Sequence, residues 1–286
     1  MNVAERRERV RTILAGEECV CPAPVFDPVS ARIAEDLGFE TGWMASDATE
    51  AAVLGTDHLV MLTLSEHAEQ VRRICRASDI SLIVGAYHGY GNALNVIRTV
   101  EELENAGVAA LTIDDADLPM AFGGSEEEER LTSLEESVGK MKAALAARRD
   151  SGLVIVGRTS ALHTGIPEAI RRVKAYEKAG VDAIYLSGGT LENVRAIHAE
   201  TRLPLLMGSA SVEVGDNRLL GTFGVRISAP GQLSFWASVR AMHDVLKSLR
   251  SGTPPADLRP AMASRELRAQ VLRRAQSDKW IKSFLR

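Results

Sequence analysis

Short apolar segments rich in β-branched residues recur along the chain, and each is followed by a longer segment with helical spacing. This alternation predicts parallel βα units, because two parallel strands need a crossover connection that is usually a helix. Eight segments are predicted to be strands, namely residues 19–26, 41–46, 80–86, 109–115, 152–159, 183–188, 204–209 and 224–231.

The segments between these strands carry the end signals of helices. Ser133 and Glu136 form a capping-box pattern, and Pro167 stands where a first helical turn tolerates proline. Gly107 and Gly180 stand where a helix ends in the left-handed conformation. The predicted helices include residues 65–78, 92–107, 133–149, 167–180 and 232–250.

Eight βα units close most economically as an α/β fold of the (β/α)8 TIM-barrel type, with a doubly wound open sheet as the alternative. We expect the barrel, with its N-terminal helix, over residues 1–250, and a linker and C-terminal helical arm over residues 251–286. The arm is predicted to pack on its own barrel or on a neighbouring subunit through Leu267, Val271, Leu272, Trp280, Ile281 and Leu285.

The charge balance bears on possible partners. The chain has 34 Lys+Arg against 38 Asp+Glu, a net charge of -4, which leaves no basic excess for nucleic acid. No apolar run reaches the roughly 18 residues of a membrane span, and the charged N-terminal segment does not resemble a secretion signal. The cysteines Cys19, Cys21 and Cys75 are predicted to be reduced core thiols. We therefore expect a cytoplasmic protein that binds neither nucleic acid nor membrane.

Candidate functional residues follow the predicted strands, because active sites of TIM barrels lie at the C-terminal ends of the strands. The loop after the third strand reads HGYGN (88–92), in which two glycines allow the backbone to approach a ligand closely. Candidates at the ends of other strands are Ser46, Asp47, Asp114, Asp115, Arg158 and Gln232.

Several longer segments together carry a family resemblance: VFDPVSARIAEDLGF (25–39), HGYGNALNVIRTVEELENAGVAALTIDD (88–115), IVGRTSAL (155–162) and AYEKAGVDAIYL (175–186). They resemble the isocitrate lyase/phosphoenolpyruvate mutase superfamily, most closely its oxaloacetate decarboxylase-like branch. The resemblance implies a TIM barrel that forms a homo-oligomer, a tetramer or a dimer, through the C-terminal arm. It also implies a small carboxylate substrate, an oxo- or hydroxy-acid, and Mg2+ as the usual cofactor of the family.

The chain departs from the family at its hallmark Asp-Ala-Asp triplet, which is replaced here by Gly85-Ala86-Tyr87. Because Mg2+ strongly prefers anionic oxygen ligands, we expect weak or no binding at the usual site. Asp114, Asp115 and Asp47 remain as ligands for a displaced site. The glutamate that supports metal-bound waters in many members is Ser187.

Candidate substrate contacts follow from the same resemblance. Arg158 matches the family arginine that pairs a substrate carboxylate, and a structural ion pair is its alternative. Asp57 matches a family acid on the second loop, and a solvated loop acid is its alternative. Gln232 stands where the branch has histidine, and it joins Ser46 as a candidate substrate contact.

Proton transfer is assigned to a small set of candidates. His88 is either a general acid or base or the residue that orders the GYG turn. Tyr87 either offers its hydroxyl to the ligand or fills the volume of the lost acid. Asp47 either acts as a base or bonds loop amides, and Asp114 completes the catalytic set. The acidic run 126–129, in the loop that gates the family site, is interpreted as a solvated face.

These residues predict a divergent carbon–carbon lyase or decarboxylase with an altered active site, whose dependence on metal is left open. One alternative is a catalytically degenerate barrel with a binding or assembly role. Another is an ordinary Mg2+-dependent oxaloacetate decarboxylase, against which Gly85, Tyr87 and Gln232 argue. The loop at residues 120–124 lacks the catalytic cysteine of the family's lyases, which argues against cysteine-dependent cleavage.

Overall fold

The computed structural model describes residues 1–57, 60–123, 130–208 and 216–286. Within these residues, eight strands form one parallel sheet in chain order. Neighbouring strands are in regular register; Trp43, for example, lies between Pro24 and Ile83. The strands are β1 (Ala23–Pro24), β2 (Thr41–Met44), β3 (Ser81–Gly85), β4 (Ala110–Asp114), β5 (Val154–Thr159), β6 (Ala183–Ser187), β7 (Leu205–Gly208) and β8 (Val225–Ala229).

The sheet closes into a barrel through the segment that precedes β1. Val20 forms a parallel bridge with Ile227 of β8. Its amide donates to the Arg226 carbonyl at 2.9 Å, and its carbonyl accepts from the Ser228 amide at 2.9 Å. The predicted TIM barrel is confirmed, because an open doubly wound sheet has no such bridge between its first and last strands.

Helices cover the outside of the barrel and extend beyond it. Most predicted helices agree with the structure to within two residues. The helices are α1 (Val3–Ala15), α2 (Pro28–Asp36), α3 (Ser46–Leu54), α4 (Leu64–Ala77), α5 (Ala93–Ala106), α6 (Leu134–Ala147), α7 (Ile166–Ala179), α8 (Leu191–His198), α9 (Asn217–Thr222), α10 (Leu233–Arg250), α11 (Arg265–Val271) and α12 (Arg274–Phe284). None of these helices, within the described ranges, is long and apolar enough to cross a membrane.

Two predicted element boundaries and the predicted burial of one cysteine are corrected. The first strand is limited to Ala23–Pro24 rather than 19–26, because Pro22 and Pro24 have no amide hydrogen to donate to a neighbouring strand. Cys21 therefore lies outside the sheet and is exposed, whereas Cys75 is buried as expected. Ser46, predicted as the last residue of the strand 41–46, and Asp47, predicted at the start of the next loop, form the first turn of α3.

The core has two layers, one between strands and helices and one inside the barrel. Helix α1 closes the N-terminal end of the barrel, where Val10 packs against the inner layer. Arg7 donates to the Val108 carbonyl at 3.2 Å, and Arg11 donates to the Leu153 carbonyl at 3.0 Å. Helix α1 therefore covers the N-terminal end of the barrel interior.

The C-terminal arm contacts α2 through its first helix. The Val271 carbonyl accepts from Arg32 at 3.2 Å, and Arg273 pairs with Glu35 at 2.9 Å. The predicted apolar stripe does not form within the chain, because α11 and α12 point most of it to solvent. Val271 is buried and Ile281 is half-buried, while the exposed members are Leu267, Leu272, Trp280 and Leu285.

Candidate active site

A cavity of about 260 Å³ lies at the C-terminal ends of the strands, the position predicted for the site. We call this end the barrel mouth. The cavity is lined by Trp43, Ala45, Ser46, Asp47, Gly85, Arg158, Tyr185, Gly208, Ala229, Gly231, Gln232 and Trp236. A larger cavity of about 670 Å³ lies between the segment before β1 and α9, and it holds none of the predicted site residues.

Arg158 is the cationic group of the cavity, and its guanidinium is held from three sides. Its Nε lies 2.9 Å from a carboxylate oxygen of Asp114, which is its register partner across β4 and β5. The same Nε donates to the Ser187 hydroxyl at 2.9 Å, and its Cζ lies 5.2 Å from the centre of the Tyr185 ring. A guanidinium fixed in this way suits recognition of a planar carboxylate.

Helix α3 begins at the cavity with Ser46. Its N-cap residue is Ala45, which cannot cap the helix through its side chain, and among the described residues this helix has no side-chain cap hydrogen bond. Asp47 is exposed in this first turn, where the helix dipole favours a negative charge. Gly85 allows α3 to start against β3, because a Cβ there would already lie 3.4 Å from the Ser46 nitrogen.

Tyr87 lies behind the cavity wall rather than in it. Its hydroxyl donates to the Ser46 carbonyl at 2.8 Å and to a Glu50 carboxylate oxygen at 3.3 Å. Its backbone has a positive φ of 50°, and only 2% of the residue is exposed. Burial, together with Tyr90 and Glu50, raises the pKa of Tyr87, so its phenol stays protonated. The structure therefore shows Tyr87 joining β3 to α3.

His88 also lies behind the cavity. It is 5% exposed, and burial together with the charge of Lys140 lowers its pKa to about 4. Within the described residues its Nδ1 has no hydrogen-bond partner, while its carbonyl accepts from Lys140 at 3.3 Å. The turn that follows uses Gly89 and Gly91 at positive φ, where side chains would collide with α5. His88 is thus neutral near pH 7.

Asp115 and Asp57 lie away from the cavity. Asp115 is fully buried, 3.1 Å from Arg172 and 2.7 Å from the Tyr176 hydroxyl. This ion pair supports the barrel, so the structure does not place Asp115 beside Asp47 and Asp114 at a displaced metal site. Asp57 is exposed and is not among the residues that line the cavity. Residues 126–129 and Ser209 lie outside the described residues.

The donor set at the barrel mouth does not fit the Mg2+ ion implied by the family. Position 85 has no side chain, and the Tyr87 hydroxyl is bonded to Ser46 and Glu50. Asp114 is paired with Arg158. In the described part of the chain, no three or more His, Cys, Asp or Glu residues are grouped to hold a metal ion. The remaining cavity acid, Asp47, is a single ligand where Mg2+ needs several oxygens.

The prediction from sequence missed the aromatic residues of the cavity. Trp43 and Tyr185 stack inside the barrel with centroids 5.2 Å apart and planes 16° apart, and Trp236 lines the rim. Gly208 makes room for them, because a Cβ there would lie 1.6 Å from the Tyr185 hydroxyl oxygen. Strand alternation could have indicated that Trp43 and Tyr185 point inward, but it does not predict that they stack.

The family model described as phosphoenolpyruvate phosphomutase matches residues 11–250. The chain belongs to the phosphoenolpyruvate mutase/isocitrate lyase superfamily. This superfamily member is 48% identical over 279 residues to a protein of Bradyrhizobium diazoefficiens named oxaloacetate decarboxylase, covering 97% of this chain and 96% of that protein. It is 49% identical over 277 residues to a protein of the same name from Rhodopseudomonas palustris, covering 96% and 95%.

Among solved structures, phosphonopyruvate hydrolase in complex with oxalate and Mg++ matches this superfamily member with a TM-score of 0.87 and 27% identity. The match covers 100% of both chains. The resemblance drawn from the sequence is confirmed. The expectation of an enzyme of the carbon–carbon lyase class is confirmed as well, because the full-length relatives are named as decarboxylases.

Proposed function

We propose that this chain is a carbon–carbon lyase that decarboxylates oxaloacetate or a closely similar oxo-diacid. The observation that carries this proposal is the 48% identity, over 97% of the chain, to a protein named oxaloacetate decarboxylase. The relatives therefore favour the decarboxylase alternative over a divergent lyase of unspecified reaction. The cavity of about 260 Å³ with Arg158 on its wall suits a small carboxylate.

Decarboxylation sets two tasks for the protein. The bond between C3 and C4 of oxaloacetate breaks, CO2 leaves, and the electron pair remains as an enolate that takes a proton at C3 to give pyruvate. The site must hold the remaining carboxylate and stabilise the negative charge that develops on the enolate oxygen. Arg158, oriented by Asp114 and Ser187, is proposed to hold the carboxylate.

The start of α3 is proposed to stabilise the negative charge that develops on the enolate oxygen. The first-turn amides at Ser46 and Asp47 stand at the cavity wall, where a helix N-terminus favours an anion. Ser46 and Gln232 remain proposed substrate contacts, because both line the cavity. Each of these groups acts through a fixed position rather than through a change of charge.

Proton transfer is proposed for Asp47, because it is the exposed carboxylate on the cavity wall. Asp114 is proposed to keep Arg158 oriented and charged. His88 and Tyr87 lie behind the wall, so we propose that they act by positioning the GYG turn and α3 rather than by touching substrate. Asp57 remains a predicted substrate contact on the loop after α3.

The proposal is tested by pyruvate release from oxaloacetate, compared with a panel of 2-oxo and 2-hydroxy acids. Arg158→Ala is expected to lower kcat/KM about 10- to 100-fold, the size of a lost hydrogen bond to a charged group. Arg195→Ala is the matched control, since Arg195 lies 4.6 Å over the Phe223 ring outside the cavity. Absence of turnover on the whole panel, or equal loss in both variants, would contradict the proposal.

A catalytically degenerate binding barrel is the second candidate. Its supporting observation is that Gly85 and Tyr87 occupy positions where the family carries acids. Purified protein that binds a small carboxylate, and yet releases no product from any member of the panel, would favour this candidate over the decarboxylase.

We also propose a homo-oligomer, a dimer or tetramer, formed through α10 and the C-terminal arm, and a cytoplasmic location. Among the described residues of α10, Phe235 alone is buried. Leu246→Asp is expected to lower the mass in light scattering, whereas Leu94→Asp, at an exposed leucine on α5, is the control. An unchanged mass for Leu246→Asp would contradict this interface. The exposed apolar residues of α10 are Leu233, Trp236, Met242, Leu246 and Leu249.

A further inference from the structure

Residues 85 and 87 stand where the resemblance implies metal-binding acids, and here they make intramolecular contacts instead. Gly85 adds no ligand and brings α3 close to β3. Tyr87 places its hydroxyl 2.8 Å from the Ser46 carbonyl, beneath α3. Glu50, on the other side of this contact, accepts from the backbone amides of Val60 and Met61. These interactions tie the segments together and leave no carboxylate at position 85 or 87 for a cation.

Gln232 supplies a second and independent observation on the opposite side of the cavity. It is 9% exposed and lines the cavity at the start of α10. Its Oε1 is buried without a hydrogen-bond partner among the described residues. An unsatisfied buried amide is costly, so a ligand group that bonds it gains affinity. An ionised carboxylate has no hydrogen to donate to Oε1, so the amide must turn by 180° and donate from its NH2 group to a carboxylate oxygen.

The charges around the cavity also bear on the ligand. Arg158 is the cation at the wall, and the uncapped first turn of α3 adds the partial positive charge of a helix N-terminus. Asp114 is paired with Arg158, and Asp47 is exposed, so solvent screens its charge. The positively polarised groups that a carboxylate can meet in this cavity are therefore Arg158 and the start of α3.

We propose that this barrel mouth binds its carboxylate substrate without a divalent cation, through Arg158, the first-turn amides of α3 and the side-chain amide of Gln232. This inference rests on the proposed function for its substrate class. It differs from the family's usual chemistry, in which Mg2+ binds the substrate oxygens. Here the guanidinium and backbone amides face the substrate oxygens directly.

Mn2+ binding tests the cation half of the proposal without any assay of activity. The electron paramagnetic resonance signal of free Mn2+ is expected to be unchanged by the full chain, with or without oxalate. Micromolar binding by the full chain would overturn the proposal. The Gly85→Asp/Tyr87→Asp variant is expected to remove free Mn2+ signal, and aspartate tolerates the positive φ at position 87 better than tyrosine. A variant that binds no Mn2+ would overturn the role assigned to these two positions.

Oxalate, a small planar dianion, tests the ligand half. Its binding is followed by tryptophan fluorescence, since Trp43 and Trp236 line the cavity. The Kd in EDTA is expected to agree within about threefold with the Kd in millimolar Mg2+ at equal free oxalate. Binding weaker by about tenfold or more in EDTA, or no binding under either condition, would overturn the proposal.

Substitution of Gln232 tests its assigned contact. Gln232→Leu is expected to weaken oxalate binding about 10- to 100-fold, the size of one hydrogen bond to a charged group. Gln276→Leu makes the same change on the exposed surface of α12 and is expected to leave the Kd unchanged. An equal Kd for Gln232→Leu and the full chain would overturn the contact.

Failure of this inference is distinguishable from failure of the proposed function. Pyruvate release that stops in EDTA and returns with Mg2+ would overturn the cation-free site while supporting decarboxylation. Oxalate binding in EDTA, without pyruvate release under any condition, would support the cation-free site and contradict decarboxylation.

Discussion

Two walls of the same barrel mouth carry different chemistry. The charged wall carries Arg158, and Asp114 and Ser187 hold its guanidinium from the ends of β4 and β6. The neutral wall is formed by Ser46 and Gly85, and the phenol of Tyr87 lies behind it, bonded to the Ser46 carbonyl. Arg158 therefore lies on β5, whereas the positions that resemble the family's metal-binding acids lie at the end of β3 and just after it.

The charged wall also shows how neighbouring residues on a strand take different roles. Asp114 points into the barrel and meets Arg158, whereas Asp115 points outward and meets Arg172 and Tyr176. One carboxylate is thereby available to orient a ligand-binding group, and the other supports the contact between the sheet and α7.

The largest expected effect is the loss of unfolding free energy on substitution of Asp115, compared with the smaller loss on substitution of Asp114. Asp115→Ala is expected to lower the free energy of unfolding by about 3–5 kcal/mol, because it removes a fully buried carboxylate that pairs with Arg172 and accepts from the Tyr176 hydroxyl. Asp114→Ala is expected to cost less than half as much, since Arg158 is partly exposed and keeps its bond to Ser187. Urea unfolding measures both, and equal losses would show that the distinction between the acids is wrong.

Alanine substitutions of Gly208 and Gly85 compare the space available for a Cβ atom at two positions of the cavity lining. Gly208→Ala is expected to destabilise the protein by about 1–3 kcal/mol, since its Cβ would meet the Tyr185 hydroxyl at 1.6 Å. Gly85→Ala is expected to cost less than about 1 kcal/mol, because its nearest contact is 3.4 Å. Urea unfolding gives the energies, and near-ultraviolet circular dichroism reports on the Trp43 stack. A larger loss at Gly85 would reverse the comparison.

The pH dependence of stability tests the packing behind the neutral wall. His67 bonds Tyr90 at 2.8 Å, and burial lowers its pKa from 6.5 to about 4. Between these values the unfolded chain binds more protons, so the stabilisation present above pH 6.5 is lost as the pH falls toward 4. From pH 7 to pH 5 this histidine is expected to contribute a loss of about 2 kcal/mol.

His67→Gln is expected to reduce that pH-dependent loss, as measured by urea unfolding at the two pH values. His243→Gln, on the exposed face of α10, is the control for an imidazole at the surface. If His67→Gln and the unaltered chain lose the same free energy between pH 7 and pH 5, His67 is not buried in its neutral form.

The smallest expected effect is the loss of unfolding free energy on removal of the Tyr87 hydroxyl, which is compared with removal of the Tyr176 hydroxyl. Tyr87→Phe is expected to cost about 1 kcal/mol of unfolding free energy, because the single hydroxyl proton is closer to the neutral Ser46 carbonyl, at 2.8 Å, than to the Glu50 carboxylate, at 3.3 Å. Tyr176→Phe is expected to cost about 1.5–3 kcal/mol, because its hydroxyl donates to the charged Asp115. Urea unfolding orders the two variants, and a larger loss for Tyr87→Phe would contradict the assignment of the neutral wall.

Much of the site could be predicted from its place along the sequence. The candidates that end strands or begin the segments after them are Arg158, Asp114, Ser46, Asp47 and Gln232. The structure brings four of them to the cavity lining, and the fifth, Asp114, is bonded to Arg158. The aromatic stack of Trp43 and Tyr185 could not be predicted in the same way. It depends on the absence of a side chain at Gly208, on the strand β7 next to Tyr185, and residue spacing does not show that these positions meet. The roles of adjacent acids also depend on which face of the strand each one takes.

The sequence by itself determined the barrel, because eight alternating apolar and helical segments have few other ways to cover both faces of a parallel sheet. It also identified the superfamily, and it places glycine and tyrosine at positions 85 and 87, where the resemblance implies acids. Only the tertiary structure decided that the Tyr87 hydroxyl bonds the Ser46 carbonyl and that Asp115 forms a buried ion pair with Arg172. It also decided that the Gln232 amide oxygen has no hydrogen-bond partner among the described residues. The physical reason is that hydrogen bonds and ion pairs between distant segments depend on distances of a few tenths of an ångström, which residue spacing does not specify.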